Sequence, residues 1–194
     1  MKFYQYNIND FTADEYKYWY SVMSKDKQKR IDRYKKSDDK IRSVCAHMLA
    51  VKAISQVSGV AEKDIKIYEE ESGKPYCSIE NTFFSIGHCD ELVVCAVSTK
   101  PIGVDIEKIR KINLLVAKKV CTKAELTYIF HKEINDIDFS DDDSEILSRF
   151  FEIWVKKEAF GKKEGFGIGY KMSETDVSSI PHWWNGEYVI AVAE

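Results

Sequence analysis

Two carboxylates in the segment GVDIEKI, residues 103–109, are spaced for chemistry on one face of a strand. Side chains alternate along a strand, so Asp105 and Glu107 point the same way. They lie about 6.6 Å apart at a rise of roughly 3.3 Å per residue. Carboxylates at this spacing can converge on a hard cation. A strand with one solvated face gives the same pattern, so these residues alone leave both interpretations open.

A helix predicted for about residues 144–163 carries charges on its apolar side. At 100° per residue, the aromatic and aliphatic residues of FFEIWVKKEAFGKKEG form one broad arc. Three charged residues fall within that arc: Lys157, Glu158 and Lys162. The opposite arc, predicted to face solvent, carries Glu152, Lys156 and Lys163. Charges on a buried face are costly unless they are paired.

Two interpretations account for the inward charges. Glu158 and Lys162 are four residues apart and could form an ordinary helical ion pair, which leaves Lys157 unexplained. Alternatively, a shared polyanionic ligand and a metal explain all three. Glu158 would then join Asp105 and Glu107 around magnesium, which proteins hold with a few carboxylates and substrate phosphates. The two lysines would meet phosphate oxygens as point charges.

Further anion-binding residues are predicted upstream. The turn SGKPY places Lys74 beside Pro75, SIGHC places His88 after a strand, and Arg42 ends a basic stretch. A lone histidine is more often structural, and a charge run is usually a solvated face. No Walker loop and no Gly-x-Gly-x-x-Gly motif is found in the sequence.

The elements that must position these residues occur in a repeated order. A strand, a helical region over residues 13–34, a helix ending at Gly59 and several strands fill the first half. The second half repeats strand, helices and strand, and YVIAVAE echoes LVVCAVS. This order predicts an α+β fold of two similar halves related by a pseudo-twofold, residues 1–101 and 102–194, with a ligand between them.

Composition excludes several classes of protein. The net charge of −3 argues against a nucleic-acid binder. The longest purely apolar run, LVVCAV, has too few residues to span a bilayer, and the amino terminus is too polar for a signal peptide. We therefore expect a cytoplasmic protein. The five cysteines are odd in number and lack Cys-x-x-Cys spacing, so neither disulfides nor a zinc site is expected.

Four blocks of the sequence together resemble a known family. SGKPY, FSIGHCDELVVCAVS, PIGVDIEKI and FEIWVKKEAFGKKEGFGI are similar, in order and spacing, to motifs of the surfactin-synthetase-activating type of 4'-phosphopantetheinyl transferase. The similarity runs over about residues 24–169. The length resembles that of the two-half, pseudo-dimeric type, and this implies a monomer.

The resemblance implies transfer of phosphopantetheine from coenzyme A to a serine of an apo acyl or peptidyl carrier protein, with release of 3',5'-ADP. In its terms, Asp105, Glu107 and Glu158 are magnesium ligands, and Glu158 is also the base. Lys162 steadies the pyrophosphate leaving oxygen. The implied coenzyme A contacts, which also include Lys162, are Arg42, Lys74, Pro75, His88 and Lys157.

One position departs from the family pattern. The family usually has serine before the motif histidine, and Gly87 stands there, so a hydroxyl contact to phosphate is absent. We expect altered coenzyme A binding with activity retained. Two alternatives stay open: another magnesium-dependent phosphotransferase or pyrophosphate-cleaving enzyme acting on a nucleotide, and an inactive carrier-protein-binding module.

Overall fold

The computed structural model describes residues 1–141, 143–165 and 171–194. These residues form two compact units, Met1–Pro101 and Ile102–Glu194. Each unit combines helices with small antiparallel sheets, so the predicted α+β class is confirmed. Among the described residues, no helix is both long and apolar enough to cross a bilayer.

The first unit packs a long helix on a three-stranded sheet. Its helices are α1 (Ala13–Val22), α2 (Lys25–Asp32) and α3 (Ser37–Ser58). Its strands are β1 (Lys2–Asn7), β2 (Ile67–Glu69), β3 (Pro75–Cys77), β4 (Phe83–Cys89) and β5 (Leu92–Ser98). The sheet order is β1-β5-β4, and β2 and β3 form a separate hairpin. Helix α3 ends at Gly59, which adopts the left-handed conformation that glycine tolerates best.

The second unit repeats this arrangement. Its strands are β6 (Gly103–Lys108), β7 (His182–Asn185) and β8 (Tyr188–Ala193), in the order β6-β8-β7. Its helices are α4 (Ala117–Val120), α5 (Lys123–Phe130) and α6 (Ser144–Glu164). Helix α6 packs on β6 and β8 and buries Phe150, Phe151, Ile153 and Val155 in the core of this unit. Each unit therefore has its own apolar core.

Three local features differ from the sequence prediction. The helical region over residues 13–34 is two helices, because Ser24 breaks it and accepts a hydrogen bond from the amide of Lys27 as the N-cap of α2. Strands β3 and β7 were not predicted. Both are short and lie in turn-rich segments, where periodicity gives little signal.

Candidate active site

The predicted carboxylates lie where strand β6 meets helix α6. Gly103 makes this contact close: a Cβ built on it would lie 1.9 Å from the carbonyl oxygen of Ala159 and 2.5 Å from the amide nitrogen of Lys163. Since side chains alternate along β6, residues 103, 105 and 107 share one face. The glycine therefore brings the face that carries Asp105 and Glu107 against the helix.

Asp105 is buried in this seam, with 7% of its surface exposed. Its Oδ1 accepts a hydrogen bond from Lys162 Nζ at 2.8 Å, and the same ammonium donates to the carbonyl of Val104 at 3.0 Å. Asp105 Oδ2 is buried and has no hydrogen-bond partner in the described part of the chain. Burial raises the pKa of Asp105, and Lys162 opposes the rise.

Glu158 approaches the same place from the helix. Its Oε1 is also buried without a hydrogen-bond partner among the described residues. Burial raises the pKa of Glu158 to about 7; repulsion from Asp105 and Glu107 adds to the rise and Lys162 opposes it. Glu107 is less buried and forms an ion pair of 2.7 Å with Arg110. The structure thus brings three carboxylates and one lysine into mutual electrostatic contact.

The chemistry of this set fits a hard cation. Two buried carboxylate oxygens lack a donor, and a divalent ion would satisfy both. Lys162 supplies the positive charge next to Asp105 in this structure. Among the described residues, however, no three acidic, histidine or cysteine side chains are grouped closely enough to hold a metal ion.

Lys157 is directed elsewhere. Its side chain is almost fully buried, and Nζ lies 2.9 Å from Glu125 Oε2. It also donates to the carbonyls of Met172 at 2.6 Å and Thr175 at 2.9 Å. The predicted inward direction of Lys157 is confirmed. In this structure, however, protein oxygens surround its ammonium in place of the phosphate oxygens that the sequence suggested.

The prediction that one side of α6 faces solvent is partly wrong. Lys156 is only 5% exposed and pairs with Glu152 at 2.7 Å. Two neighbouring elements cover this flank, because Tyr128 of α5 donates to Glu152 at 2.8 Å and His182 of β7 lies 3.5 Å from it. A helical wheel has no information on such neighbours, and β7 was not predicted.

The predicted coenzyme A contacts of the first unit lie near two turns. Arg42, on α3, pairs with Asp39 and donates to the carbonyl of Asp90 at 2.9 Å. Asp90 belongs to the β4–β5 turn, two residues after the exposed His88, so Arg42 and His88 flank the same turn. Lys74 and Pro75 lie at the β2–β3 turn, where the Lys74 carbonyl accepts from the amide of Glu70 at 2.9 Å.

A cavity of about 770 Å³ in the first unit was missed by the sequence interpretation. Helix α2 contributes Lys27 and Arg30 to its wall, helix α3 contributes His47, and the β2–β3 hairpin adds the stacked rings of Tyr68 and Tyr76. Arg30 is held by Glu69 through two contacts of 2.6 Å. Burial lowers the pKa of Lys27, which an anionic ligand would oppose. The only sequence signal was the basic stretch of α2.

Comparison with known proteins covers nearly the whole chain. Residues 10–100 match the profile of the 4'-phosphopantetheinyl transferase N-terminal family, and residues 101–193 match that of the 4'-phosphopantetheinyl transferase superfamily.

Two curated relatives carry the same family name. The chain is 32% identical over 160 residues to 4'-phosphopantetheinyl transferase gsp of Aneurinibacillus migulanus, covering 82% of this chain and 63% of the relative. It is 29% identical over 179 residues to 4'-phosphopantetheinyl transferase Sfp of Bacillus subtilis, covering 91% of this chain and 76% of the relative. The chain therefore spans less than two thirds of the length of the first relative and about three quarters of the length of the second.

Proposed function

The chain belongs to the 4'-phosphopantetheinyl transferase superfamily, and on this premise we propose that it transfers 4'-phosphopantetheine from coenzyme A to a serine of an apo carrier protein. The transfer forms a bond between the serine oxygen and the phosphorus next to pantetheine. It breaks the bond from that phosphorus to the bridging oxygen, which leaves with 3',5'-ADP. One observation carries the proposal: a buried oxygen of Glu158 without a hydrogen-bond donor among the described residues interacts electrostatically with the paired Lys162 and Asp105.

Glu158 is the proposed general base. A base works best when its pKa lies near the working pH. The pKa of Glu158 is about 7 without a metal, and a bound cation would lower it and keep the carboxylate deprotonated. Its buried Oε1 has no donor among the described residues, so it can accept the proton of a serine hydroxyl within hydrogen-bond reach. The proton thus moves from the serine oxygen to the Glu158 carboxylate as the new bond to phosphorus forms.

Lys162 is the proposed neutralising charge. Phosphoryl transfer depends mainly on alignment and on neutralising the phosphate oxygens. The Lys162 ammonium is partly exposed, with 32% of its side chain accessible, so it can contact the leaving oxygen of the pyrophosphate. Lys157, almost fully buried against protein oxygens, is less suited to this role.

Magnesium is proposed to be held by Asp105, Glu107 and Glu158. When bound, it would neutralise charge on the pyrophosphate and help align it. The support is the pair of unsatisfied buried oxygens on Asp105 and Glu158. Lys162, which now donates to Asp105, would be released to contact phosphate.

Coenzyme A is proposed to be bound largely by the first unit. Arg42 and His88 flank one turn, Lys74 and Pro75 lie at another, and Arg42 and Lys74 supply positive charge for phosphates. The cavity beside Lys27 has basic and aromatic walls suited to the nucleotide end. Lys27→Ala should therefore raise the KM for coenzyme A several-fold and leave kcat unchanged. An unchanged KM would remove the cavity from the coenzyme A site.

The activity is tested by incubating the protein with coenzyme A, magnesium and a panel of apo carrier proteins, then weighing the carriers. A mass gain of one phosphopantetheine, with equimolar 3',5'-ADP, is expected. Release of 3',5'-ADP without a modified carrier would favour a nucleotide-cleaving enzyme. Coenzyme A binding without turnover would favour an inactive carrier-binding module. Cytoplasmic location and a monomeric state are part of the same proposal, and light scattering measures the latter.

A further inference from the structure

We propose that Lys157 is a positioning residue: it fixes the rotation of helix α6 about its axis and thereby aims Glu158 and Lys162 at strand β6. The inference rests on the proposed function, because it explains how that site keeps its geometry. It assigns Lys157 a role other than the phosphate contact that the sequence suggested.

The ammonium group of Lys157 has an acceptor for each of its N–H donors. A lysine ammonium has three N–H donors. In the described part of the chain, three oxygens lie within 3 Å of Nζ: a carboxylate oxygen of Glu125 and the carbonyl oxygens of Met172 and Thr175. The side chain is 1% exposed. These contacts hold the Lys157 ammonium in one place. Moving it away from a partner would leave part of a buried charge without compensation, which is costly.

The partner Glu125 is itself fixed. It is the third residue of α5 and forms a capping box with Thr122. Its Oε2 accepts a hydrogen bond from the Thr122 amide at 2.7 Å and also pairs with Lys157. One carboxylate oxygen therefore caps α5 and binds α6. Through Lys157, α6 is tied to the start of α5 and to the segment around Met172–Glu174.

Lys157 lies close in the helix to the proposed catalytic residues, so its contacts affect where those residues are placed. Glu158 is the next residue, about 100° around the axis, and Lys162 lies one turn further on the same side as Glu158. A rotation of about 20° would move a carboxylate about 6 Å from the axis by roughly 2 Å. A misplacement of about 1 Å at a reacting group can cost about 100-fold in rate.

Two substitutions test the assignment. Lys157→Met removes the charge and keeps most of the volume, while Glu125→Gln keeps the cap geometry and weakens the pairing. We expect kcat to fall about 10- to 100-fold in Lys157→Met and several-fold in Glu125→Gln. We expect the Kd for coenzyme A, from calorimetry, to stay within about twofold in both. Lys162→Met, which removes a proposed phosphate contact, is the control that should raise that Kd.

The double variant shows whether the two residues act as one unit. If they do, Glu125→Gln in the Lys157→Met background should lower kcat no further. Amide hydrogen exchange gives a readout independent of turnover: residues 158–164 should exchange faster in Lys157→Met at unchanged helix content by circular dichroism. If Lys157→Met does not fold, Glu125→Gln alone carries the test.

Three outcomes would overturn the proposal. A large rise in the Kd for coenzyme A at unchanged kcat would show that Lys157 contacts phosphate directly. A lower melting temperature with unchanged kcat and unchanged exchange of residues 158–164 would reduce its role to stability. Full additivity in the double variant would separate Lys157 from Glu125. If the wild-type protein transfers no phosphopantetheine, the proposed function fails, while the exchange measurement still decides whether Lys157 fixes the helix.

Discussion

The two units place a long helix on a three-stranded antiparallel sheet, and they differ in what lies between helix and sheet. Helix α3, with 22 residues, buries apolar side chains with one polar exception, His47. Helix α6, with 21 residues, buries Lys156 and Lys157 and places Glu158 and Lys162 next to a strand. The contact between the long helix and the sheet, here called the seam, is thus apolar in the first unit and contains charged side chains in the second.

The exceptions show how each unit handles a buried polar group. Burial lowers the pKa of His47 to about 3, so this residue stays uncharged at neutral pH. The second unit compensates buried charge with opposite charge instead, Lys157 with Glu125 and Asp105 with Lys162. Among the described residues, three buried carboxylate oxygens of this unit have no hydrogen-bond donor: Asp105 Oδ2, Glu125 Oε1 and Glu158 Oε1. Those on Asp105 and Glu158 lie at the candidate site. Unsatisfied buried groups of this kind are rare and concentrate at functional sites.

The largest effect is expected at Asp105. Asp105→Asn keeps the shape and removes the charge that faces Lys162, so transfer should fall about 1,000-fold, the scale of losing a main electrostatic contact to a phosphoryl group. The transfer rate is measured by mass spectrometry, and near-ultraviolet circular dichroism checks folding. Tyr4→Phe, on β1 of the first unit, is the matched control and should change little. Full activity of Asp105→Asn with magnesium would end the metal hypothesis for β6.

The next effect is expected at Gly103. In Gly103→Ala the new methyl group would meet the Ala159 carbonyl, so α6 must move away from β6. Overpacking of this kind costs about 1–3 kcal/mol, and the shift separates Glu158 from Asp105. Thermal melting and kcat should both fall. Gly59→Ala strains the left-handed cap of α3 and should lower stability alone. Normal turnover in folded Gly103→Ala would show that the spacing of the seam is not critical.

A smaller effect concerns pH. The folded-state pKa of Glu158 lies above its usual value of 4.5, so the folded state retains a proton that the unfolded state has lost. Glu158 therefore lowers stability as pH rises from about 4.5 to 7. After allowance for its partial exposure, Glu158→Gln should gain on the order of 1 kcal/mol relative to wild type between pH 5 and 8. Urea unfolding with a chelator present measures this.

His47 should give the opposite slope in the same experiment. Its folded-state pKa is depressed to about 3, so the unfolded state binds the extra proton below about pH 6.5. The free energy of unfolding therefore decreases as pH falls below about 6.5. His47→Asn should remove this part of the pH dependence. Equal slopes for the two variants would contradict the contrast between the two seams.

The smallest effect is expected at Arg110, an exposed residue paired with Glu107. Arg110→Gln removes a cation that competes with magnesium for that carboxylate. Exposed ion pairs contribute about 0.2–1 kcal/mol, so the magnesium concentration for half-maximal transfer should fall about two- to fivefold. Lys17→Ala, which breaks an exposed pair with Asp14 in the first unit, should leave it unchanged. A higher magnesium requirement in Arg110→Gln would assign Arg110 a supporting role.

Periodicity explains how much of the site could be predicted. Asp105 and Glu107 lie on one strand and Glu158 and Lys162 on one helix, so alternation and the helical wheel were enough to group them. The partner of Lys157 could not be found in this way, because Glu125 belongs to another helix and is selected by tertiary packing. Lys156 was misplaced for the same reason. The end of the motif, GFGI, includes residues 166–168, which lie outside the described residues.

The strand order of the second unit determines how it can be made. Within the described ranges, strand β6, which carries Asp105 and Glu107, pairs with β8 alone, and β8 also pairs with β7. During synthesis at about 5–20 residues per second, the first unit can close its sheet once β5 has emerged. Strand β6 must wait, with its backbone unpaired, until Tyr188–Ala193 has left the ribosome. Charged side chains disfavour the pairing of an exposed strand with other chains. We therefore expect Asp105 and Glu107 to limit aggregation of the nascent protein as well.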